Sequence, residues 1–433
     1  MPMKYILIAL LCLYWGSTQA QNVVTQDIDN FWMAYDKITA TQDSAQQMEL
    51  LHQHFLDKGT PGLAAIRQAR RYTPQQYLNA INRYPKFWKS IRANTYKSKT
   101  LSKELEKGIL KLKEVYPTLK PAKIYFTVGV FRTNGTTLDS AVLIGSELAM
   151  ADKSTLTEEF PARTKRFLDN YFSSDPISNI VFLNIHEYVH TQQKTAWGSN
   201  LLTQSLREGI AEFVAVKASG DQSYSPAIAY GKRHNQKVRA RFEREMFNQY
   251  YRYWLWSSMD NAFKQRDLGY YIGYTIAEKY YQKSNNKLQA IQELITLDLT
   301  NQKRMHALVE ASGYFPNKLS ILRKKYEQNR PKIVRIREFK NGSKSVNPNL
   351  RKITIEFSKK MDTRFRGFDY GPLRESNVLR VQKWIGFSED GKSITFEISL
   401  QPDRVYQVKL SNRFYAADGT ELAPYLIEFK TSK

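Results

Sequence analysis

Apolar and polar positions follow two different periods along this chain. Residues 24–119 predict a run of helices, opened by the acids Asp27 and Asp29 and divided by turn signals such as Pro61-Gly62. Two short apolar runs at residues 124–130 and 141–144 then predict buried strands, with the turn dipeptide Asn134-Gly135 between them. Helical patterning returns over residues 175–312. The pattern therefore predicts a mainly helical part that carries a small β-sheet.

The spacing of apolar and polar residues changes near Pro331. Apolar and polar residues alternate at 353–357, 394–398, 405–410 and 427–429, which is the period of a half-buried strand. Asp390-Gly391 and Asp418-Gly419 are hairpin-type turns. The sequence predicts an α+β protein, with one domain over residues 21–330 and an all-β sandwich over residues 331–433.

The first twenty residues have the form of an export signal. Lys4 gives a positive start, an apolar run follows, and small residues at Thr18 and Ala20 predict cleavage before Gln21. The chain's one cysteine, Cys12, follows Leu11 rather than the small residue of a lipoprotein signal, so we favour cleavage over lipid anchoring. The mature chain would then have no cysteine and no transmembrane span, and would rest in the periplasm, on the cell surface or outside.

The chain is strongly basic, with a formal net charge of +24. Because the predicted export takes it away from nucleic acid, we expect contacts with anionic envelope components instead. Lys and Arg are spread over several helices among acids, a distribution that is also typical of ordinary solvated helix faces. We expect no nucleic-acid partner, since no recognised binding module is present.

One short segment has the residues of a candidate metal site. His186-Glu187-Tyr188-Val189-His190 places two imidazoles four residues apart, on one face of a helix predicted to begin at Asp175-Pro176. Both rings can reach one ion, and Glu187 lies where a general base would take a proton from metal-bound water. A helix with two satisfied core histidines is the alternative.

A second pair of residues strengthens the metal interpretation. Glu208 and Glu212 are also four apart, and two histidines plus one glutamate form a standard ligand set for zinc. The sequence predicts His186, His190 and Glu208 as ligands of Zn²⁺. Glu212 is placed to hydrogen-bond a ligand histidine and fix its tautomer. Residues 197–200 supply the predicted turn between the two helices.

These motifs resemble the gluzincin metallopeptidases, in which HExxH is followed by a glutamate from the next helix. The order of motifs over residues 24–310 also resembles an uncharacterised bacterial family described as zinc-dependent proteases, and residues 356–362 resemble the start of bacterial Ig-like domains. The resemblance implies a zincin-type catalytic domain. It further implies a catalytic tyrosine, Tyr270 or Tyr274, which would stabilise an oxyanion; close helix packing at Gly269 and Gly273 is the alternative.

The sequence thus predicts an exported zinc metallopeptidase that hydrolyses peptide bonds of a peptide or protein substrate. Residues 141–147 could supply an edge strand for that peptide, with Glu147 facing a substrate amine. Two rival functions remain open. One is a catalytically silent zinc scaffold that acts as an envelope binding or assembly factor, and the other is a hydrolase of non-peptide amides or esters.

Overall fold

The computed structural model describes residues 22–194, 200–251, 253–256 and 261–433. The predicted signal segment and most of the predicted turn at 197–200 lie outside these residues. Contacts divide the described chain into two compact units, one of residues 22–107 and 121–180 and the other of residues 108–120 and 181–433. The predicted domain boundary at residue 330 stays a prediction.

The first unit is built from helices around a small sheet. Its helices are α1 (Gln26–Ile38), α2 (Ser44–Leu51), α3 (Pro61–Arg70), α4 (Pro74–Arg83), α5 (Pro85–Tyr96), the first part of α6 (Ser102–Val115), α7 (Ser146–Ala149) and α8 (Ala162–Phe172). Its strands are β1 (Val23–Val24), β2 (Lys123–Thr127), β3 (Gly135–Leu138) and β4 (Ala141–Gly145). Fully buried aromatic side chains such as Phe31, Trp32 and Trp88 form its core. Helix α1 forms because one of its faces is apolar and packs into that core.

The sheet of the first unit has the order β1-β2-β4-β3. Strands β1, β2 and β4 are parallel, and β3 is antiparallel to β4. The two predicted strands are confirmed as β2 and β4. The Asn134-Gly135 dipeptide, however, leads into the unpredicted strand β3 and does not join β2 to β4 directly.

The second unit begins with the rest of α6 and continues through a helical layer. Its helices are α9 (Ile180–His190), α10 (Leu201–Ser219), α11 (Pro226–Arg233), α12 (Asn235–Glu245), α13 (Leu268–Lys283), α14 (Lys287–Ile295), α15 (Gln302–Ser312) and α16 (Leu319–Asn329). Helices α10 and α13 cross closely at two glycines. A Cβ atom placed on Gly273 would lie 1.8 Å from the carbonyl oxygen of Ser205 and 3.0 Å from Cα of Gly209. Only glycine permits this approach.

Two β-sheets complete the second unit. The strands are β5 (Ile333–Ile336), β6 (Lys352–Phe357), β7 (Phe368–Asp369), β8 (Val381–Phe387), β9 (Ser393–Ile398), β10 (Val405–Leu410) and β11 (Tyr425–Lys430). They form a four-stranded sheet, β5-β6-β9-β8, and a three-stranded sheet, β11-β10-β7. Buried side chains from both sheets, including Ile355, Phe396 and Val408, share one apolar core. The predicted α+β class is therefore confirmed, as are the four strands predicted from alternation.

Among the described residues, no helix combines the length and the apolar character that crossing a membrane requires.

Candidate metal centre

Helix α9 supplies both histidines of the predicted cluster. It begins at Ile180, after a short 3₁₀ turn at Pro176–Asn179, rather than at the predicted Asp175-Pro176. His186 and His190 lie one turn apart and are both buried, with 6% of each residue exposed. The mostly apolar sequence of α9 explains why the helix is buried and takes its two imidazoles out of water.

Helix α10 supplies the carboxylates. The Asn200 side chain accepts the backbone N–H of Thr203 at 3.1 Å and so caps the start of the helix. Gly220, at φ +80°, ends it in the left-handed conformation. Glu208 and Glu212 lie four residues apart inside this helix, and both are buried.

Three donor atoms converge between α9 and α10. Nε2 of His190 lies 3.1 Å from Nε2 of His186 and 3.2 Å from Oε2 of Glu208, and the third separation, from His186 to Glu208, is 3.7 Å. A tetrahedral zinc ion with bonds of about 2.05 Å would hold its ligand atoms about 3.3 Å apart. The observed separations bracket that value, so the three predicted ligands are brought together at a spacing that fits a zinc ion.

The outer nitrogens of both imidazoles lie close to side-chain oxygens, but only that of His190 makes a hydrogen bond. Nδ1 of His190 lies 2.7 Å from Oε1 of Gln193, whose amide orientation is set because its Nε2 donates to the carbonyl of Arg207 at 3.1 Å. Nδ1 of His186 lies 2.9 Å from Oε2 of Glu212. With its proton on Nδ1, His190 turns its Nε2 lone pair toward the Glu208 carboxylate, and the charge of Glu212 beside Nδ1 of His186 favours the same tautomer there once an ion is bound. Three electron-rich atoms facing one buried point require a cation or protons between them.

The charges around the cluster are strongly coupled. Burial alone would lower the pKa of His186, but the carboxylates of Glu208 and Glu212 raise it to about 10. Burial alone would raise the pKa of Glu208, but His190, His186 and Arg207 hold it well below its ordinary value. Arg207 donates to Oε1 of Glu208 at 2.7 Å, which leaves Oε2 for the convergent point. The site therefore holds Glu208 ionised at neutral pH.

The other predicted site residues take different positions. Glu187 is buried on α9 but does not belong to the group of donor atoms that lie within 4.8 Å of one another. The Tyr270 ring stacks on His186, with ring centres 6.0 Å apart, and its hydroxyl accepts the indole N–H of Trp256 at 3.1 Å. Tyr274 instead packs against Phe213. The helix crossing thus places Tyr270 beside the cluster and Tyr274 away from it.

The expected peptide-binding edge near Glu147 is wrong. Strand β4 is paired on both sides, by β2 and β3, and offers no free edge. The Glu147 carboxylate is fully buried and accepts the backbone N–H groups of Gly129 at 2.8 Å and Phe131 at 3.1 Å. Burial raises the pKa of Glu147 to about 7 despite these hydrogen bonds. Its position indicates that it fixes the loop that follows β2.

Sequence reasoning missed three neighbours of the cluster. Gln193 lies three residues after His190, and Arg207 directly precedes Glu208. This spacing is a weak signal in the sequence, because its meaning depends on how α9 and α10 pack. Ser223 donates to Glu212 from the loop that follows α10, and nothing in the sequence ties it to that carboxylate.

The fold and the site together define an α+β chain with a buried, metal-type cluster between two helices. The chain belongs to the lipoprotein family described as gliding motility protein GldB, which it matches over residues 16–266. That range contains all three donor residues.

No curated protein matches the chain. Two solved structures are similar to it, both with a TM-score of 0.18, which is too low to argue a shared fold. The N-terminal part of the bacterial S-layer protein SbsC is 14% identical, and the alignment covers 94% of this chain and 68% of that one. The S-layer protein rSbsC(31-844) is 13% identical, with 77% of this chain and 46% of that chain covered, so this chain spans about half of that protein.

The family membership corrects the expected function. The expectation of a gluzincin-type peptidase, a zinc metallopeptidase that cleaves peptide bonds, is wrong, because the matching family is a gliding motility family and not a peptidase family. The catalytic roles expected for Glu187, Tyr270 and Tyr274 were implied by the peptidase resemblance and stay predictions, and no finding supports a peptide substrate. The rival interpretation, an envelope binding or assembly factor, agrees better with the family.

Proposed function

We propose that this chain is an exported envelope component of a gliding motility apparatus. Within the chain, a zinc ion bound by His186, His190 and Glu208 joins α9 to α10 as a structural scaffold. The family match over residues 16–266 carries the motility assignment. The convergence of three donor atoms inside that same range supports the metal. The zinc then stabilises the fold and performs no hydrolysis.

The chemistry of the donor set favours zinc. Two imidazole nitrogens and one carboxylate oxygen are ligands that Zn²⁺ accepts readily, whereas Mg²⁺ and Ca²⁺ prefer oxygen alone. Arg207 pairs with Oε1 of Glu208, and burying the remaining Oε2 against two nitrogen lone pairs would be costly without a cation or a proton between them. Gln193 holds the His190 ring by a hydrogen bond, and the Glu212 carboxylate lies 2.9 Å from Nδ1 of His186, where its charge favours a proton on that nitrogen.

Three protein donors leave one position of a tetrahedral ion for water or for a side chain of a partner. A partner ligand at that position would suit an assembly factor, because metal binding and docking would then depend on each other. The stacked Tyr270 ring and the half-exposed Trp256 lie beside the cluster and add apolar surface there.

The lipoprotein family also changes the expected location. It favours a lipid on Cys12, the chain's one cysteine, over the release after cleavage that the Leu11 neighbour suggested. A lipid-anchored chain with a net charge of +24 would lie close to anionic lipids and polymers of the envelope.

The proposal is tested in the organism that carries the chain, by replacing the chromosomal copy with single variants and measuring colony spreading. His190→Ala should abolish spreading because the scaffold loses its metal. Glu187→Gln should spread normally because no general base is needed, and His234→Ala, an exposed histidine, should also spread normally. Immunoblots establish that each variant is present. A non-spreading Glu187→Gln strain with normal protein levels, or a spreading His190→Ala strain, would refute the scaffold proposal.

A further inference from the structure

A cleft of about 510 Å³ opens in the second unit, where the segment after α12 meets the sheet β11-β10-β7. Its volume falls in the range of pockets that bind small molecules. One wall is formed by Gln249, Tyr250 and Tyr251, and the opposite wall by Asp369, Lys409 and Asn412. The metal cluster does not line this cleft, so it constitutes a separate candidate site.

The walls of the cleft are held in place by buried polar contacts. The Glu421 carboxylate accepts the backbone N–H groups of Gln249 at 2.9 Å and Tyr250 at 2.7 Å. The Asn248 side chain donates to the carbonyl of Gly419 at 2.8 Å. Both anchoring side chains are almost fully buried, at 1% and 2% exposure. The cleft is therefore formed in advance, which lowers the entropic cost of binding a ligand.

The lining combines flat aromatic surface with planar polar groups. Tyr250 is 36% exposed, and Tyr251 packs edge-on against Trp256, which is 48% exposed. Aromatic surface thus continues beyond the cleft and could follow several units of a polymer. The amides of Gln249 and Asn412 contact each other, and the Asp369 carboxylate is fixed by Arg413 at 2.6 Å. The amides can both donate to and accept from hydroxyls, and the carboxylate can accept from them.

We infer that this cleft binds an anionic polysaccharide, of the class that contains uronic acids. A sugar ring presents apolar C–H faces to aromatic rings and a rim of hydroxyls to amides and carboxylates, which is the combination that this lining offers. The negative charge of the ligand is inferred from the exposed Lys409, since the charge of Asp369 is neutralised by Arg413, and from the net charge of +24.

An extended peptide fits this cleft less well. Peptides commonly add to an open strand edge. Strand β10, which carries Lys409, is paired on both sides at that position, with Leu426 of β11 and with Asp369 of β7. Strand β10 therefore offers side chains but no free main-chain ladder, and the edge strand β7 is only two residues long. Side chains suit a hydroxyl-rich ligand.

The test is an isothermal titration of the mature chain with hexagalacturonate, alongside neutral cellohexaose and hexa-aspartate. Hexagalacturonate should bind, and Tyr250→Ala and Lys409→Gln should each weaken binding by about tenfold or more. Two matched controls, Tyr224→Ala and Lys383→Gln, change an exposed tyrosine and an exposed lysine outside the cleft and should change affinity by less than about twofold. Thermal unfolding of each variant establishes that it is folded.

Three results would overturn the inference. They are no binding of hexagalacturonate, equally tight binding of hexa-aspartate or cellohexaose, or losses in the control variants as large as those in the cleft variants. The inference names a ligand for the proposed envelope role, but the cleft does not depend on the metal. Zinc is measured on the same preparations, so a failed titration with zinc present overturns this inference and leaves the proposed function standing.

Discussion

Nδ1 of His186 lies 2.9 Å from Oε2 of Glu212, a carboxylate one helical turn beyond Glu208 on α10. Helix α10 thus contributes two carboxylates to the cluster, one that faces the convergent point and a second that lies beside the outer nitrogen of a ligand ring. Ser223 in turn donates to the other oxygen of Glu212. The negative charge of Glu212 beside Nδ1 favours a proton on that nitrogen, which leaves Nε2 of His186 to face an ion when one binds.

Glu212→Ala should weaken zinc binding by about 10- to 100-fold, because the His186 ring loses the neighbouring negative charge that favours a proton on Nδ1. Competition with a chelator of known affinity measures the change. Ser223→Ala removes only the hydrogen bond behind that carboxylate and should cost much less. Unchanged affinity in Glu212→Ala would show that the carboxylate does not orient the ring.

Gly273→Ala should destabilise the second unit by about 3 kcal/mol or more, because the new Cβ would collide with backbone atoms that cannot rotate away. The nearest of these is the carbonyl oxygen of Ser205, at 1.8 Å. Gly108→Ala in α6 is the matched control, since its Cβ would meet the side chain of Val181 at 3.1 Å. That side chain can shift, and alanine favours the helix. Urea unfolding compares the two variants, and equal stability would refute the close-packing argument.

The Glu421 contact should make stability depend on pH. Burial raises the pKa of Glu421 from its ordinary 4.5 to about 7, although the N–H groups of Gln249 and Tyr250, the Arg330 charge and the Tyr415 hydroxyl all lower it. The folded chain then holds a proton that the unfolded chain releases between these two values. Stability contributed by this group is complete below pH 4.5 and falls as pH rises through 7, by at most about 3 kcal/mol.

Glu421→Gln keeps the shape of the protonated acid and cannot ionise, so its stability should fall less over the same window. Urea titrations of wild type and variant at several pH values give the difference. Taking that difference removes the similar contribution of Glu147, whose pKa is also raised to about 7. Parallel curves for the two proteins would contradict the assignment to Glu421.

Much of the fold follows from periodicity, and the strands that escaped prediction show where periodicity fails. Strands β6, β9, β10 and β11 alternate regularly and were predicted. Strand β8 pairs with β9 through two register shifts, and Gly386 lies at φ +127°, so its inward and outward positions do not alternate. Strand β7 has two residues and carries no pattern to detect.

The donor set could be predicted because the spacing of four residues fixes a shared helix face before any tertiary structure is known. The choice between Tyr270 and Tyr274 could not, because both lie on one face of α13. The crossing of α13 over α10 at Gly273 and Gly209 decides which tyrosine meets His186. The function was predicted wrongly for a related reason: the HExxH spacing describes how a helix pair can hold a metal, and not what the chain does with it.

The central claim is that His186, His190 and Glu208 hold one zinc ion as part of the folded structure. Metal analysis by mass spectrometry, on the mature chain purified without chelator, tests it most directly. The wild type should contain about one zinc per chain, as should His234→Ala, while His190→Ala should contain almost none. Chelation should lower the unfolding temperature of the wild type but not that of His190→Ala. A folded wild-type protein without zinc that also fails to take it up would contradict the claim.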